Sequence, residues 1–381
     1  MLEMEHSLNF IKGVDVSILS EVESLGGEFF LEQEKKDLFE ILSLKDINTV
    51  RLRLWVNPYD EEGEPYMGGT NDLETTIELA KRAKLHGLQF MLNIHYSDFW
   101  TDPKKQYKPK SWQHLSGSQL EEEVYRYTTE VLQVCKGCDV LPDMVQIGNE
   151  TTNGMLWPDG KTPAYLFEEK RFADTDAGEW KESYDRLAGL LNAGIRAARE
   201  ADIPKIILHL DAGGSNVLYR TWFDEMSARD VDFDVIGLSF YPFWHGTLNE
   251  LRCNLEDISA RYNKEVLVVE TAYGFTPDSL SGKDIFTEEL SNLAGYPASV
   301  DGQARFLEDL MTTVKQVPNQ QGIGVVYWEP AWLPVQGTTW ASLVGMKYGN
   351  DVAPLGNHWA NQGLFDFKGN ALESLNVFRK F

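Results

Sequence analysis

The sequence predicts one (β/α)8 barrel spanning residues 1–381, and three observations predict it. Short apolar runs rich in β-branched residues alternate with longer amphipathic stretches, and the alternation recurs with no linker rich in Pro, Ser or Gly. Several runs, such as VLVVE and GVVYW, are apolar at consecutive positions, as strands covered on both faces by helices must be. All eight runs end in charged or aromatic residues, the end at which a barrel of this kind carries its reactive groups.

The first predicted strand is Phe10–Ile18, ending near Asp15 and Ser17, and an amphipathic segment follows over Glu32–Leu44. The second is Asn48–Val56, which carries Arg51 and Arg53 ahead of Trp55 and Asn57, with a helix over Leu73–Leu85. The third, Leu88–His95, runs into His95, Tyr96, Asp98 and Trp100 and precedes a helix over Gln119–Val134. The fourth, Met144–Asn149, reaches Asn149 and Glu150, with Asn153 and Trp157 beyond, and a helix over Trp180–Ala201. The fifth, Lys205–Leu210, ends in Asp211. The sixth, Val235–Tyr241, leads to Tyr241, Trp244 and His245 before a helix over Leu248–Tyr262. The seventh, Glu265–Thr271, carries Glu270 with Tyr273 after it, and a helix follows over Gln303–Val317. The eighth, Gly322–Trp328, ends at Trp328, Glu329 and Trp332. A plain barrel needs about 250 residues. The surplus falls after strands three, four, seven and eight, whose loops are expected to build the cleft.

Composition narrows the partners. Lys and Arg number 35 against 59 Asp and Glu, a formal charge of −24, which repels nucleic acid and anionic membrane surfaces. A neutral ligand is favoured, and 11 Trp among 12% aromatic residues suit either core packing or stacking platforms for sugars. No apolar run approaches the ~20 residues of a membrane helix. Three cysteines argue against a disulfide framework. Cys135 and Cys138 form a C-x-x-C read as a helix end, with Gly137 as its left-handed residue, because Cys253 cannot complete a four-thiolate site. The Asp174, Asp176, Gly178 run reads as a solvated turn. Residues 1–9 carry Glu3 and Glu5 and no basic segment before an apolar one. The chain as written is therefore expected in the cytoplasm, or outside the cell if a signal has been removed. Oligomeric state is not legible in the sequence.

The chemistry resides in two glutamates. Glu150 and Glu270 each close an apolar strand, three strand steps apart around the barrel, where they face each other as a two-carboxylate glycosidase requires. The alternative reading is a strand-end ion pair with an arginine. One carboxyl must hold a proton for the leaving oxygen while the other attacks ionised, so their surroundings must differ. Positive charge from Arg51 or Arg53 on the second strand would hold Glu270 ionised, leaving Glu150 as acid and base. Asn149 is placed to bind a sugar 2-hydroxyl.

The segments GVDVS, RLRLW, HYSDFW with Asp102 and Pro103, QIGNETTNGMLWPDG, DVIGLSFYPFWHGTL, VVETAY, GVVYWEPAW and NQGLFDFKGNALESLNVF together resemble family 53 of the glycoside hydrolases, the endo-β-1,4-galactanases. The resemblance covers every predicted strand. It implies a retaining hydrolase with Glu150 as acid/base and Glu270 as nucleophile, acting on internal bonds of β-1,4-galactan and type I arabinogalactan. It further implies a site lined by Arg53, His95, Asn149, Tyr241, His245 and Trp328, with Arg53 orienting Glu270, Tyr241 donating to it and Trp328 as a stacking floor. Asp98, Trp100, Trp244 and Trp332 join the expected substrate-binding residues. No metal or cofactor is required by the chemistry. Bacterial members often hold a structural calcium in an acidic, glycine-rich loop after strand seven, and this chain departs from that pattern, offering only Asp278, Asp284, Glu288 and Glu289 as ligands for such an ion. The rival readings are another β-1,4-glycanase of the same clan, acting on mannan, xylan or cellulose, and a barrel that binds oligosaccharide without cleaving it.

Overall fold

The computed structural model describes residues 10–381; the acidic start on which the localisation expectation rests lies outside the described residues. All eight predicted strands form: β1 (Ile11–Asp15), β2 (Thr49–Leu54), β3 (Gln89–Ile94), β4 (Met144–Ile147), β5 (Lys205–Leu210), β6 (Val235–Ser239), β7 (Glu265–Thr271) and β8 (Gly322–Trp328). They are parallel and close into a barrel in chain order, β1 pairing with both β2 and β8. Closure removes the sheet edges, and the parallel order follows from the crossover helices between strands.

Ten α-helices surround or cap the barrel among the described residues: α1 (Leu19–Ser24), α2 (Leu38–Leu44), α3 (Leu73–Leu85), α4 (Gly117–Gly137), α5 (Ala177–Glu200), α6 (Asn216–Ser227), α7 (Leu248–Tyr262), α8 (Glu288–Ala294), α9 (Val300–Lys315) and α10 (Leu343–Tyr348). The helix expected over Glu32–Leu44 is shorter. Its first half is a hairpin pairing Phe29–Leu31 with Glu34–Lys36, with Glu32 and Gln33 turning at φ 52° and 70°, and helix begins only after Asp37 caps Phe39. Helix α6 was not among the predicted segments, although its buried face of Leu218, Tyr219, Trp222, Phe223 and Met226 has helical spacing. Gly137 lies inside α4, and the left-handed residue that ends it is Asp139, at φ 57°. Asp176, read as part of a turn, is the N-cap of α5 and accepts from Gly178 and Glu179.

Alternation along the strands splits the core in two. Val50, Leu52 and Leu54 of β2, Leu92 and Ile94 of β3, and Ile206, Leu208 and Leu210 of β5 pack outward with the helices. Ile11, Met91, Met144, Ile207, Val235, Leu267 and Ile323 fill the lower barrel interior. Above that apolar plug, toward the strand C-termini, the inward positions are polar: Asp15, Arg51, Arg53, Asn93, Gln146, His209 and Ser239, all buried. The plug closes the lower end, so this polar layer can be reached only from the mouth.

Candidate active site

Four residues that follow strands at the mouth adopt left-handed backbone without being glycine: Tyr96 (φ 51°), Glu150 (φ 46°), Ala212 (φ 47°) and Glu329 (φ 50°). Such conformations cost of order 1–3 kcal/mol each and persist where the surroundings over-determine them. At Glu150 the turn follows Gly148, at φ 78°, and swings the side chain back over the barrel, so β4 ends two residues earlier than its apolar pattern suggests.

Glu270 reaches the same space by another device. Simple alternation, with Leu267 and Val269 inward, would send Glu270 outward to the helices. The β6–β7 register slips after Leu238–Val268, so that Ser239 pairs with Glu270, and the β7–β8 register slips between Val268 and Thr271. This bulge turns the carboxylate inward.

Arg51 organises the centre. Its Nη2 lies 2.8 Å from Glu270 Oε1 and its Nη1 2.8 Å from Asp15 Oδ2. The same Nη2 donates to Asn149 Oδ1 at 3.0 Å, and Nε and Nη2 both reach Gln146 Oε1. Arg53, expected to orient Glu270, instead pairs with Glu329 and donates to the Gly68 carbonyl, its guanidinium 4.3 Å from the Trp100 ring centre. Registry explains the exchange. Asp15 stands level with both Arg51 and Trp328, whereas Arg53 stands one inward step nearer the rim, level with Asn93. Asp15 and Glu329, both fully buried, are the carboxylates that sequence reasoning missed as site partners. Each was visible only as one more charged strand end.

The two glutamates have different surroundings. Glu150 Oε1 accepts from Ser239 Oγ at 2.6 Å, and Glu150 is in no ion pair among the described residues; burial, then the charges of Glu270 and Asp211, push its carboxyl well above the usual range. Burial raises Glu270 as well, and Asp15 adds to the rise, but Arg51 and then Arg53 oppose it, so Glu270 is the more readily ionised member of the pair. Tyr241 Oη stands 3.5 Å from Glu270 Oε2, at the limit of a hydrogen bond. Asp211, at the end of β5, accepts from Thr152 and is pushed up to about 7, chiefly by burial.

The remaining expected residues divide into three groups. Asn149 joins the centre: its oxygen accepts from Arg51 and Asn93, and its nitrogen donates to the Thr101 carbonyl. His95 lies beneath, with Nδ1 2.9 Å from Thr101 Oγ1, and is kept neutral by burial and the two arginines. His245 Nδ1 sits 3.0 Å from the Ser239 carbonyl, and burial lowers it to about 4.

The aromatic residues form a wall. Trp328 is partly open, with edge-on contacts to Trp359 at 4.7 Å and to Trp332 at 6.1 Å. Trp332 is buried as support, while Trp244 is 49% exposed and packs on Tyr241. Trp359, which no strand pattern indicated, is brought in by the segment after β8 and also meets Tyr241, at 5.9 Å.

Asp98 is not free for a ligand. Its oxygens are consumed by Asn57 N, Lys110 N and Lys110 Nζ, which pin the loop after β3.

The residues offered for calcium do not converge. Asp278, Glu288 and Glu289 are exposed and Asp284 is buried, with one oxygen unpartnered. No group of three acidic, His or Cys side chains able to hold a metal occurs among the described residues. A calcium cradle does not fit this donor set.

The model of the family described as "Glycosyl hydrolase family 53" matches residues 11–378. An uncharacterised protein of Niallia circulans, named for its place in the bgaB 5' region, is 44% identical over 97% of this chain and 93% of its own length. The endo-beta-1,4-galactanase of Bacillus subtilis is 36% identical, over 97% of this chain and 86% of its own. Among solved structures, the Ignisphaera aggregans GH53 catalytic domain superposes with a TM-score of 0.86 at 39% identity, covering 99% of this chain and 97% of that one.

Proposed function

The chain belongs to glycosyl hydrolase family 53, and from that premise we propose that it is an endo-β-1,4-galactanase, cleaving internal bonds of β-1,4-galactan and type I arabinogalactan with retention of configuration. The observation that carries the proposal is the unequal pair at the mouth: Glu270 paired with Arg51, and Glu150 half-buried and in no ion pair among the described residues. Glu270 attacks C1 of the sugar as Glu150 gives its proton to the departing glycosidic oxygen, leaving a galactosyl ester on Glu270 and an ionised Glu150. Water then attacks C1 and passes a proton to Glu150, and Glu270 leaves as carboxylate. Two inversions at C1 amount to retention. Asn149, held by Arg51 and Asn93, presents its amide beside the acid/base for the sugar 2-hydroxyl, a contact that strengthens in the oxocarbenium-like transition state. Trp328 provides the stacking face, with Trp359 braced edge-on against it.

The test is reducing-sugar release from purified β-1,4-galactan, with mannan, xylan and cellulose alongside. Galactan is expected to be cleaved fastest, with the β anomer formed first by NMR. Glu150→Ala and Glu270→Ala are each expected to lower the rate by about 10³-fold or more. Faster cleavage of another polymer would reassign the substrate, and first formation of the α anomer would overturn retention.

A further inference from the structure

Behind Glu150 runs a line of side chains whose hydrogen-bond directions follow from one fixed charge. Arg51 can only donate, so the Gln146 amide must turn its oxygen to it, and Oε1 lies 3.3 Å from Nε and 3.2 Å from Nη2. The amide nitrogen of Gln146 therefore faces three acceptors at 3.0 Å or less, Asn93 Oδ1 at 2.8 Å, the ring Nδ1 of His209 at 2.9 Å and the Gly148 carbonyl at 3.0 Å. The backbone N–H of Glu150 approaches the same Nδ1 at 3.3 Å. A ring nitrogen met by two N–H donors carries no proton, so the single proton of a neutral His209 sits on Nε2. That Nε2 is 2.8 Å from Ser239 Oγ. With its oxygen already accepting, Ser239 turns its own hydrogen to Glu150 Oε1, 2.6 Å away.

We infer that His209 and Ser239 are positioning residues for the acid/base, and that the polarity running from Arg51 through Gln146 makes Glu150 Oε1 an acceptor and leaves the transferable proton on Oε2. The inference rests on the functional reading above and deepens it. In the first step the Oε2 proton passes to the glycosidic oxygen as that oxygen takes the C1–O bonding pair. In the second, Oε2 takes a proton from the attacking water. Oε1 keeps its bond to Ser239 throughout, so the carboxyl need not rotate between its two roles.

The surroundings support the assignment. Arg51 from β2, His95 after β3 and His245 after β6 face His209, and together with burial they oppose a second proton on the ring. Glu270 from β7, Asp211 after β5 and Asp102 from the loop after β3 face Glu150, and among the described residues none of the three is hydrogen-bonded to Oε1, which Ser239 reaches at 2.6 Å. A single guanidinium thus acts on both carboxyls: directly on Glu270, and through three side chains on Glu150.

The test compares two leaving groups. Cleavage of galactan needs the acid's proton, whereas 2,4-dinitrophenyl β-galactobioside releases a phenolate that needs little help. In Ser239→Ala, kcat/KM on galactan is expected to fall about tenfold or more, with the nitrophenyl substrate changed less than about threefold. His209→Gln is a second, independent variant with the same expected pattern, and it carries the comparison if Ser239→Ala does not fold. Near-ultraviolet circular dichroism like that of the wild type qualifies each protein. An equal loss on both substrates in a folded variant, or no loss on galactan, overturns the relay while leaving the galactanase reading intact. A wild-type protein inactive on both substrates overturns the functional reading and the relay with it.

Discussion

Arg51 makes contacts that no other side chain could reproduce. Its planar fork serves Asp15, Glu270, Asn149 and Gln146 at once, and a lysine ammonium at the end of a flexible stem could satisfy only part of that set. Arg51→Lys is therefore expected to reduce kcat on galactan by about 100-fold, since the surroundings of both Glu270 and Glu150 are disturbed. The sign of the accompanying pH effect is fixed. Arg51 lowers the Glu270 pKa against burial, so weakening the pair raises it, and the acid limb of the kcat/KM profile should move to higher pH. An unmoved acid limb would show that Glu270 does not govern it. Asp211 acts on the other limb. Its negative charge helps keep the proton on Glu150, so Asp211→Asn should lower the Glu150 pKa and bring the alkaline limb to lower pH. A shift to higher pH would contradict that arrangement. Both limbs report the coupled pair rather than either residue alone.

Among the elements, β7 and its neighbours show how strand geometry turns a carboxylate into the barrel. The apolar run VLVVE reads as a buried strand, and its alternation places Val269 rather than Glu270 inward. The bulge that reverses this is a property of pairing with β6 and β8, so no window of the sequence contains it. Glycine sets the approach of helix to strand at β8. A Cβ at Gly322 would stand 1.8 Å from the Val314 carbonyl of α9, where neither backbone can give way. Gly322→Ala is expected to destabilise the protein by about 3 kcal/mol, measured by urea unfolding, with little effect on the site's pH profile. A near-neutral result would mean that α9 is free to shift. Caps behave more locally: Thr247 and Glu250 form a reciprocal capping box at the start of α7, and Thr247→Ala should cost about 1 kcal/mol.

For the whole molecule, a formal charge of −24 sets what approaches the cleft. Steering by this field would favour cations and oppose polyanions, but an uncharged galactan chain feels neither. Cleavage of galactan should therefore change less than about twofold in kcat/KM between low and about 0.5 M NaCl, whereas a charged substrate would show a steep dependence. A steep response with purified galactan would indicate that charged residues at the rim bind the polymer. No helix among the described residues is long and apolar enough to cross a membrane.

Much of this architecture was legible in the chain itself. The eight strands and their order follow from apolar runs of strand length separated by helical periodicity, and burial on both faces explains why those runs are mostly apolar, their polar residues, such as Arg51, Asn93, Gln146 and His209, falling at inward positions of the upper barrel. The interruption at Glu150 and Glu270 singled out the two carboxyls that the fold brings to the mouth, because a charge closing a buried strand needs a compensating reason. Neither the choice of Arg51 over Arg53 as partner of Glu270, nor the withdrawal of Asp98 into a loop pin, nor the arrival of Trp359 beside Trp328 could be read there. Arg51 and Arg53 lie on the same face of β2 two residues apart, and only the registers with β1 and β3, closed around the barrel, decide which one stands level with Asp15. Local periodicity and burial are enough to place the strands, the two strand-end carboxyls and the polar rim. The tertiary structure alone decided the pairings among charges, the inward turn of Glu270 and the line from Arg51 to Glu150, because hydrogen bonds between side chains from six strands exist only once the barrel has closed.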